Sequence, residues 1–262
     1  MTVNEYFALP EVFDDVVYRQ TGEVSNPVLV LGNSLGTDTR LWNRQVEAWK
    51  SRFRIIGVEY PGHGSPCWDN VFDMAGFAKK FCSLLDYLDV DQYAFCGLSM
   101  GGAIGMELAI MDSHRMNRLV LSNTAAEFGA PEFWQSRGAT AVDKGISALE
   151  KATLDRWFTA EFTALHPETV ELARSMLLQT NPRGYATCCR AIGDFSLASE
   201  LAKIKQPTMV VAGKYDRATT PKQANSIVEA VSDGHYREIA AAHLGNLGAE
   251  VEFNSTVGSF LY

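Results

Sequence analysis

The sequence predicts an α/β fold in which a doubly wound, mostly parallel sheet carries a helical cap insertion. Short apolar runs rich in β-branched residues alternate along the chain with longer amphipathic patterns, which is typical of strands followed by helices. The runs VLVL at 28–31 and TMVVA at 208–212 have no alternation, as expected of strands covered on both faces. With 262 residues, 47% of them hydrophobic and 21% charged, the chain is long enough to bury a substantial core.

Seven segments are predicted strands, because each combines apolar and β-branched residues between turn-forming ones. They are Val12–Tyr18, Val28–Leu31, Arg54–Glu59, Tyr93–Cys96, Arg118–Leu121, Thr208–Ala212 and His235–Ile239. Helical periodicity predicts the helices between them. These are Leu41–Ser51, Phe72–Leu88, Met100–Met111, Pro221–Val231 and a last one within Ala249–Leu261.

One long segment, 124–201, breaks this alternation. It contains helical patterns such as ISALEKATLDRWFTAEF and TVELARSMLLQ, and no convincing strand. We therefore predict a core domain formed by residues 1–123 and 202–262, with 124–201 inserted as helices over one edge of the sheet. The pattern alone leaves two roles open for the insertion, a cap over a site or a structural addition.

The composition limits the classes of function. The formal net charge of −8 argues against non-specific binding of nucleic acid, which needs a basic face. Five cysteines without a C-x-x-C spacing indicate neither a disulfide framework nor a zinc site. The first residues lack the features of a signal peptide, and no apolar run approaches the ~20 residues that span a bilayer. We expect a cytoplasmic protein that acts on a small molecule and contacts no membrane; its oligomeric state stays open.

A serine between glycines provides the first functional signal. The segment Gly97-Leu98-Ser99-Met100-Gly101 matches G-x-S-x-G, directly after a predicted strand and at the start of a predicted helix. This is the context of a nucleophile elbow, a tight strand-to-helix turn that exposes the serine hydroxyl. The helix start also presents free N–H groups to developing negative charge. The pattern favours a nucleophile over a turn-forming or helix-capping serine.

A serine nucleophile needs a base, and the base needs a partner that orients it. His243, in AAAHLGN, follows the last predicted strand, and Asp216, in GKYDRATTP, follows the strand before it. Sites in parallel sheets gather at the carboxyl ends of strands, so we predict a catalytic triad of Ser99, Asp216 and His243. Asp194 and Asp233 precede strands and are weaker candidates for the acid. The other histidines are interpreted as loop or surface residues: His63, His114, His166 and His235.

Two backbone N–H groups are predicted to form an oxyanion hole. One belongs to Met100, the residue after the nucleophile. The second is expected from the loop LGNSLGTD, which follows the predicted strand Val28–Leu31, and we assign it to Leu35.

Several segments together resemble the 3-oxoadipate enol-lactone hydrolases, a family of the α/β-hydrolase superfamily, over most of the chain. FCGLSMGGAIGMELA resembles that family's elbow, NSLGTDTRLW its oxyanion loop, VVAGKYDRATTP its acid loop and AAHLGNL its histidine loop. RLVLSNTAAEFGAPEFWQSR and GYATCCRAIGDFSL resemble the strand that leads into its cap and the return from the cap. The elbow marks only the superfamily, whereas NSLGTD, SNTAA and YATCC together are more selective.

The sequence departs from the family pattern at four positions. Glu59 and Pro61 stand where the family commonly has an aspartate and an arginine. Gly193 stands where an arginine is frequent in the cap, and Gly245 where serine is usual. None of the four belongs to the predicted triad, but Pro61 and Gly193 bear on how a substrate carboxylate is held.

The resemblance implies a serine hydrolase that opens the ring of 3-oxoadipate enol-lactone, a lactone with a free carboxylate, without a metal or organic cofactor. It also gives the insertion a purpose, as a cover over the elbow. The candidates for apolar walls of the substrate pocket are Trp42, Trp134 and Trp157. The candidate cation for the substrate carboxylate is Arg190, with Arg137 and Arg40 as alternatives. Other functions on this fold stay open, namely a broad carboxylesterase, a cofactor-free perhydrolase of the haloperoxidase type, and a ligand-binding receptor.

Overall fold

Eight strands of the described chain form one sheet. The structure, a computed structural model, describes residues 6–66 and 73–262. Within these ranges the strands are β1 (Glu11–Phe13), β2 (Val16–Thr21), β3 (Val28–Gly32), β4 (Arg54–Val58), β5 (Tyr93–Leu98), β6 (Met116–Ser122), β7 (Thr208–Gly213) and β8 (Gly234–Ile239). Their order in the sheet is β1-β2-β4-β3-β5-β6-β7-β8. The pairs β1–β2 and β2–β4 are antiparallel, and every pair from β4 to β8 is parallel.

Helices connect and cover these strands. Within the same ranges they are α1 (Asn43–Trp49), α2 (Met74–Tyr87), α3 (Met100–Met111), α4 (Pro131–Lys144), α5 (Glu150–Trp157), α6 (Ala160–Leu165), α7 (Pro167–Gln179), α8 (Pro182–Gly193), α9 (Pro221–Ala230), α10 (Gly245–Gly248) and α11 (Glu250–Leu261). Short 3-10 helices lie at Thr39–Trp42, Ile146–Leu149 and Ala198–Lys203. None of the described helices is long and apolar enough to cross a membrane.

The central strands are buried on both faces, which explains why their sequences are apolar without alternation. Every residue of β5 and of β7 is buried, and so are the last four residues of β3. Helix α3 is apolar around almost its whole circumference because it packs on β5 and β6 and beside α2. Such an interior is close-packed, so the strand ends that carry the candidate site have little freedom to move.

Six of the seven predicted strands are present, with ends that differ by one or two residues. The seventh, Val12–Tyr18, is a hairpin, because a turn at Asp14 separates β1 from β2. Asp14 has a φ of 55°, in the left-handed region that aspartate tolerates better than most residues. The predicted helix Phe72–Leu88 corresponds to α2, but its first residue, Phe72, lies outside the described residues. Cys67, one of the five cysteines, also lies outside them.

The segment between β6 and β7 contains helices α4 to α8. Helix α4 packs along α8, and α8 contacts the core directly. A Cβ on Gly184 would lie 2.3 Å from the carbonyl oxygen of Pro61, so the two backbones are in close contact. Beside this contact, the N–H of Asn181 donates to the carbonyl of Gly62 at 2.8 Å. These contacts attach the helices to the loop at the carboxyl end of β4.

Candidate active site

Ser99 occupies a strained turn between β5 and α3. Its φ of 58° lies in the left-handed region, which costs free energy for a residue with a Cβ. The turn needs glycine nearby, because a Cβ on Gly97 would lie 2.2 Å from the carbonyl oxygen of Gly101. Two hydrogen bonds fix the turn: Ser99 N–H donates to the carbonyl of Ser122 at 2.9 Å, and the Thr124 hydroxyl donates to the carbonyl of Ser99 at 2.7 Å.

The structure brings Ser99, His243 and Asp216 into one hydrogen-bonded series. His243 Nε2 lies 3.0 Å from the hydroxyl oxygen of Ser99, and its Nδ1 lies 2.8 Å from Oδ2 of Asp216. A carboxylate accepts hydrogen bonds, so Nδ1 carries the proton and Nε2 accepts from the serine hydroxyl. All three side chains are buried. An imidazole in this tautomer can take the serine proton, and the carboxylate stabilises the cation that results.

Asp216 is held as an anion by the groups around it. Burial by itself raises the pKa of this carboxyl, but the charge of His243 and the hydrogen bonds from His243, Asn123 and Thr219 lower it to about 2. Its Oδ1 accepts from the N–H groups of Ala218 and Thr219, at 2.8 and 3.0 Å. Its Oδ2 accepts from the Thr219 hydroxyl at 2.8 Å and from Asn123 Nδ2 at 3.0 Å. Sequence reasoning missed Asn123 and Thr219.

The two predicted oxyanion residues are both close to the nucleophile. Met100 follows Ser99 and begins α3, while Leu35 lines the same pocket as Ser99. In the described part of the chain the N–H of Leu35 donates no hydrogen bond, so it is available to a ligand. The loop that carries Leu35 is tied to α3, because the carbonyl of Asn33 accepts from the N–H of Gly101 at 2.9 Å.

A pocket lies between Ser99 and the helical segment 124–201. Its described lining combines hydroxyls, apolar walls and two arginines: Ser34, Leu35, Ser99, Trp134, Arg137, Thr153, Arg156, Trp157, Tyr185, Ile192, Ala218 and His243. Most of these residues belong to α4, α5 and α8, so the inserted helices form the outer walls. Trp134 and Trp157 both line the pocket, and the indole N–H of Trp134 is anchored on the carbonyl of Phe128 at 2.8 Å.

Two of the predicted substrate-binding residues lie outside the pocket, which corrects the expectation for them. Trp42 is completely buried, and its indole N–H donates to Oδ1 of Asn33 at 3.0 Å. It therefore supports the oxyanion loop from within the core instead of forming a pocket wall. Arg190 is on the solvent-facing side of α8, whose opposite side is buried. Arg40, an alternative for the carboxylate, is already paired with Asp38 at 2.6 Å.

Two arginines do line the pocket, one of which sequence reasoning missed. Arg137, an alternative in the prediction, donates to the Tyr185 hydroxyl at 2.8 Å and to the Thr153 hydroxyl at 2.6 Å. Arg156, which was missed, lies 5.4 Å from the ring centre of Phe133. Burial, followed by the charge of Arg137, lowers the pKa of Arg156. Among the described residues neither guanidinium forms an ion pair, so the pocket carries positive charge that an anionic ligand can neutralise.

The fold and the site define a class of protein. A serine on a strand-to-helix turn, with an imidazole in reach and a carboxylate behind it, is how many hydrolases attack an ester carbonyl. Here that arrangement lies at the carboxyl ends of β5, β7 and β8 of a mostly parallel sheet covered by helices. The molecule is an α/β hydrolase.

Comparison with known proteins narrows this class. The family model of the alpha/beta hydrolase fold matches residues 27–249. The chain is 32% identical to 3-oxoadipate enol-lactonase 2 of Acinetobacter baylyi and 29% identical to enol-lactonase 1 of that organism, in both cases over 92% of this chain and 90% of the relative. The crystal structure of the enol-lactonase from Burkholderia xenovorans matches with a TM-score of 0.93 and 36% identity, covering 97% of this chain and 99% of the other. The chain therefore belongs to the 3-oxoadipate enol-lactonase family within the alpha/beta hydrolases, and it is a hydrolase of ester or lactone bonds.

Proposed function

We propose that this protein opens the lactone ring of 3-oxoadipate enol-lactone to give 3-oxoadipate, with Ser99, His243 and Asp216 as its catalytic triad. One observation carries the proposal: Ser99 and His243, the latter hydrogen-bonded to Asp216, line a pocket that also contains two arginines without acidic partners among the described residues. The first feature suits attack on a lactone carbonyl, and the second suits the carboxylate of this substrate. The relatives described as enol-lactonases support the same substrate.

The first half-reaction forms an acyl-enzyme. His243 takes the proton of Ser99, and the serine oxygen attacks the lactone carbonyl. The N–H groups of Leu35 and Met100 donate to the oxyanion of the tetrahedral intermediate, and each such donor is worth ~3 kcal/mol in comparable sites. Collapse breaks the ring C–O bond and expels an enolate-type oxygen. The imidazolium of His243 protonates that oxygen, and the enol then tautomerises to the ketone.

The second half-reaction releases the product. His243, neutral again, takes a proton from a water molecule, whose oxygen attacks the acyl-enzyme ester. The same two N–H groups stabilise the second oxyanion, and His243 returns the proton to Ser99 as 3-oxoadipate leaves. Asp216 keeps Nδ1 of His243 protonated throughout, because its own pKa of about 2 leaves it ionised at neutral pH.

Arg137 and Arg156 bind the substrate carboxylate in this proposal. The guanidinium of Arg137 is oriented by the Tyr185 and Thr153 hydroxyls, which are neutral and leave its charge uncompensated. Arg156 adds a second, partly desolvated cation next to it. Hydrogen bonds to charged groups are stronger than neutral ones, and more so where water is displaced. The segment 124–201 thus acts as a cap that supplies both cations, while the core supplies the nucleophile.

The test is hydrolysis of freshly generated 3-oxoadipate enol-lactone, followed by ultraviolet absorbance, with wild type and with Ser99→Ala. A simple aryl acetate serves as the control substrate because it is an ester without a carboxylate. We expect rapid loss of the enol-lactone with wild type and a fall of about 10⁴-fold or more in kcat for Ser99→Ala.

The two substrates separate the parts of the proposal. Slow enol-lactone hydrolysis beside fast, Ser99-dependent aryl acetate hydrolysis would reject the substrate and favour a broad carboxylesterase. Equal rates for wild type and Ser99→Ala on both substrates would reject the nucleophile. Binding of the lactone with less than one turnover per protein molecule would favour a receptor.

A further inference from the structure

Three consecutive residues at the end of β6 contact two members of the proposed triad, although the mechanism uses none of them. The carbonyl of Ser122 accepts the N–H of Ser99 at 2.9 Å, and the hydroxyl of Thr124 donates to the carbonyl of Ser99 at 2.7 Å. Between them, Asn123 Nδ2 donates to Oδ2 of Asp216 at 3.0 Å. A single short segment therefore holds the nucleophile turn on one side and the acid on the other.

Asn123 is fixed in a single orientation. The hydroxyl of Ser122 donates to its Oδ1 at 2.8 Å, and its Nδ2 donates to Asp216 and to the carbonyl of Ala242, the latter at 3.1 Å. Both of these partners are acceptors, so only the NH2 end of the amide can face them. Ala242 directly precedes His243, so one buried amide bridges the acid loop and the histidine loop.

The backbone around Asn123 is shaped to fit this amide. Asn123 has a φ of 46°, a left-handed conformation that costs free energy in a residue with a side chain and is best tolerated by asparagine. A Cβ on Gly245 would lie 2.6 Å from Asn123 Oδ1, and a Cβ on Gly213 would lie 2.8 Å from Asn123 Nδ2. The acid loop and the histidine loop thus each place a glycine against the amide of Asn123. A larger residue at either position would displace that amide.

We propose that Asn123 is a positioning residue, which holds the acid loop and the histidine loop together so that His243 stays aligned between Asp216 and Ser99. The proposal rests on the proposed function, because it assumes that the triad performs the reaction. Asn123 does not touch the reacting atoms. It acts on the orientation of Asp216 and, through the backbone of Ala242, on the place of His243.

A neutral donor is the side chain that this position requires. Among the described groups that contact Asp216, His243 is the one that can carry charge, while Asn123 and Thr219 are neutral donors. An aspartate at position 123 has almost the same shape as asparagine. Two carboxyl groups this close share one proton, so the aspartate donates to Asp216 only while that proton is bound. Loss of the shared proton as the pH rises removes the donor.

The experiment compares Asn123→Asp, Asn123→Gly and wild type. Glycine removes the amide but accepts the left-handed backbone, so the fold is not strained by the change. We expect kcat of Asn123→Gly to fall by about tenfold or more, with KM within a factor of about three, since a hydrogen bond to a charged group is lost. In Asn123→Asp the loss of kcat relative to wild type grows as the pH rises, because the proton that keeps the donor is then lost. Asp89→Gly is the matched control, because exposed Asp89 has a similar φ of 51°.

A measurement without substrate separates this inference from the proposed function. The downfield proton resonance of His243 Nδ1–H, assigned by its loss in His243→Ala, is compared by NMR in wild type and in Asn123→Gly. A resonance that broadens or shifts upfield in the glycine variant, which adds no charge, supports the positioning role even if the enol-lactone is not the substrate. An unchanged resonance together with a kcat within twofold of wild type in Asn123→Gly would overturn it. A loss of activity equal to that of Asp89→Gly would overturn it as well.

Discussion

At the scale of single residues, the pocket differs in charge from the rest of the molecule. The chain has a formal net charge of −8, yet the described pocket lining contains Arg137 and Arg156 and no acidic residue. Elsewhere, arginines such as Arg115 and Arg174 pair with nearby carboxylates. Cations that are partly desolvated and unpaired are costly, which supports the proposal that the carboxylate of a ligand neutralises them.

Arg156 is the better residue for testing whether the positive charge of the pocket binds the substrate carboxylate. Replacing Arg137 would also remove its hydrogen bonds to the Tyr185 and Thr153 hydroxyls. We expect Arg156→Met to raise KM for the enol-lactone about 10- to 100-fold, the usual effect of losing a hydrogen bond to a charged group. Hydrolysis of an aryl acetate, which has no carboxylate, should change by less than about threefold. Arg190→Met is the control on an exposed arginine. Equal losses on both substrates would show that Arg156 supports the fold and does not bind the carboxylate.

The sequence could predict the residues of the site that depend on local patterns. Ser99 lies in a motif tied to one strand and one helix, and His243 and Asp216 each follow a strand. The structure places these three within hydrogen-bond distance. The wall residues could not be predicted in the same way, because a tryptophan or an arginine on a helix has the same local signal whether it faces a pocket or not. For this reason Trp42 was wrongly predicted to line the pocket, and Arg156 was not predicted to line it. The surroundings of both residues come from distant segments of the chain.

At the scale of elements, the site depends on the contact between the end of β3 and the start of α3. A Cβ on Gly101 would lie 2.2 Å from the carbonyl oxygen of Gly32, which is a backbone atom, so the two backbones are in close contact. This contact brings the oxyanion loop against the turn that holds Ser99, as does the hydrogen bond from Gly101 N–H to Asn33. Side-chain movement cannot relieve a clash between backbones, so any larger residue has to separate the two elements.

Gly101→Ala should therefore destabilise the protein far more than an alanine placed in open space. We expect a loss of about 3 kcal/mol in the free energy of unfolding, at the upper end for overpacked sites. Gly129→Ala is the comparison: Gly129 has a φ of 86° and no atom within 4 Å of a built Cβ, so it should lose only about 1 kcal/mol from the left-handed backbone. Urea-induced unfolding measures both values. Similar losses in the two variants would mean that β3 and α3 can separate at little cost.

The strand pattern could be predicted from sequence because buried parallel strands leave an uninterrupted apolar signal. The hairpin of β1 and β2 was predicted as one strand, because the turn at Asp14 and Asp15 interrupts the apolar pattern by only two residues and carries no glycine or proline. The helical nature of 124–201 was predictable from periodicity. The contact of Gly184 with Pro61 was not, because it joins residues more than a hundred positions apart in the chain.

At the scale of the whole molecule, a buried carboxyl group links stability to pH. Glu59, at the end of β4, accepts hydrogen bonds from the hydroxyl and the N–H of Thr39 at 2.7 and 3.0 Å, and Arg19 Nε lies 3.4 Å away. Thr39 directly follows the loop 31–38 that carries Leu35, so Glu59 joins the end of that loop to the sheet. Burial, followed by the charge of Asp38, raises the pKa of Glu59 from 4.5 to about 8, and the Thr39 and Arg19 contacts only partly oppose this.

The direction of the resulting pH dependence follows from where the proton is bound. In the unfolded chain Glu59 loses its proton near pH 4.5, whereas in the folded chain it keeps the proton until about pH 8. The folded state thus binds more protons between these values, so the contribution of Glu59 to stability is complete below pH 4.5 and is lost as pH rises through 8. One proton changes the free energy of unfolding by at most about 1.4 kcal/mol per pH unit.

Glu59→Gln should remove this dependence, because the amide has no proton to lose and its oxygen can still accept from Thr39. We expect wild type to lose stability relative to the variant between pH 5 and pH 8, by at least about 1 kcal/mol over the range. Urea-induced unfolding at pH 5, 6.5 and 8 measures the difference in free energy of unfolding between wild type and Glu59→Gln. The contributions of the other titrating groups are the same in both proteins and cancel in this difference. Glu47→Gln, on an exposed ion pair with Lys50, should run parallel to wild type. Parallel curves for Glu59→Gln as well would mean that Glu59 is ionised in the folded protein across this range, and that Arg19 and Thr39 outweigh its burial.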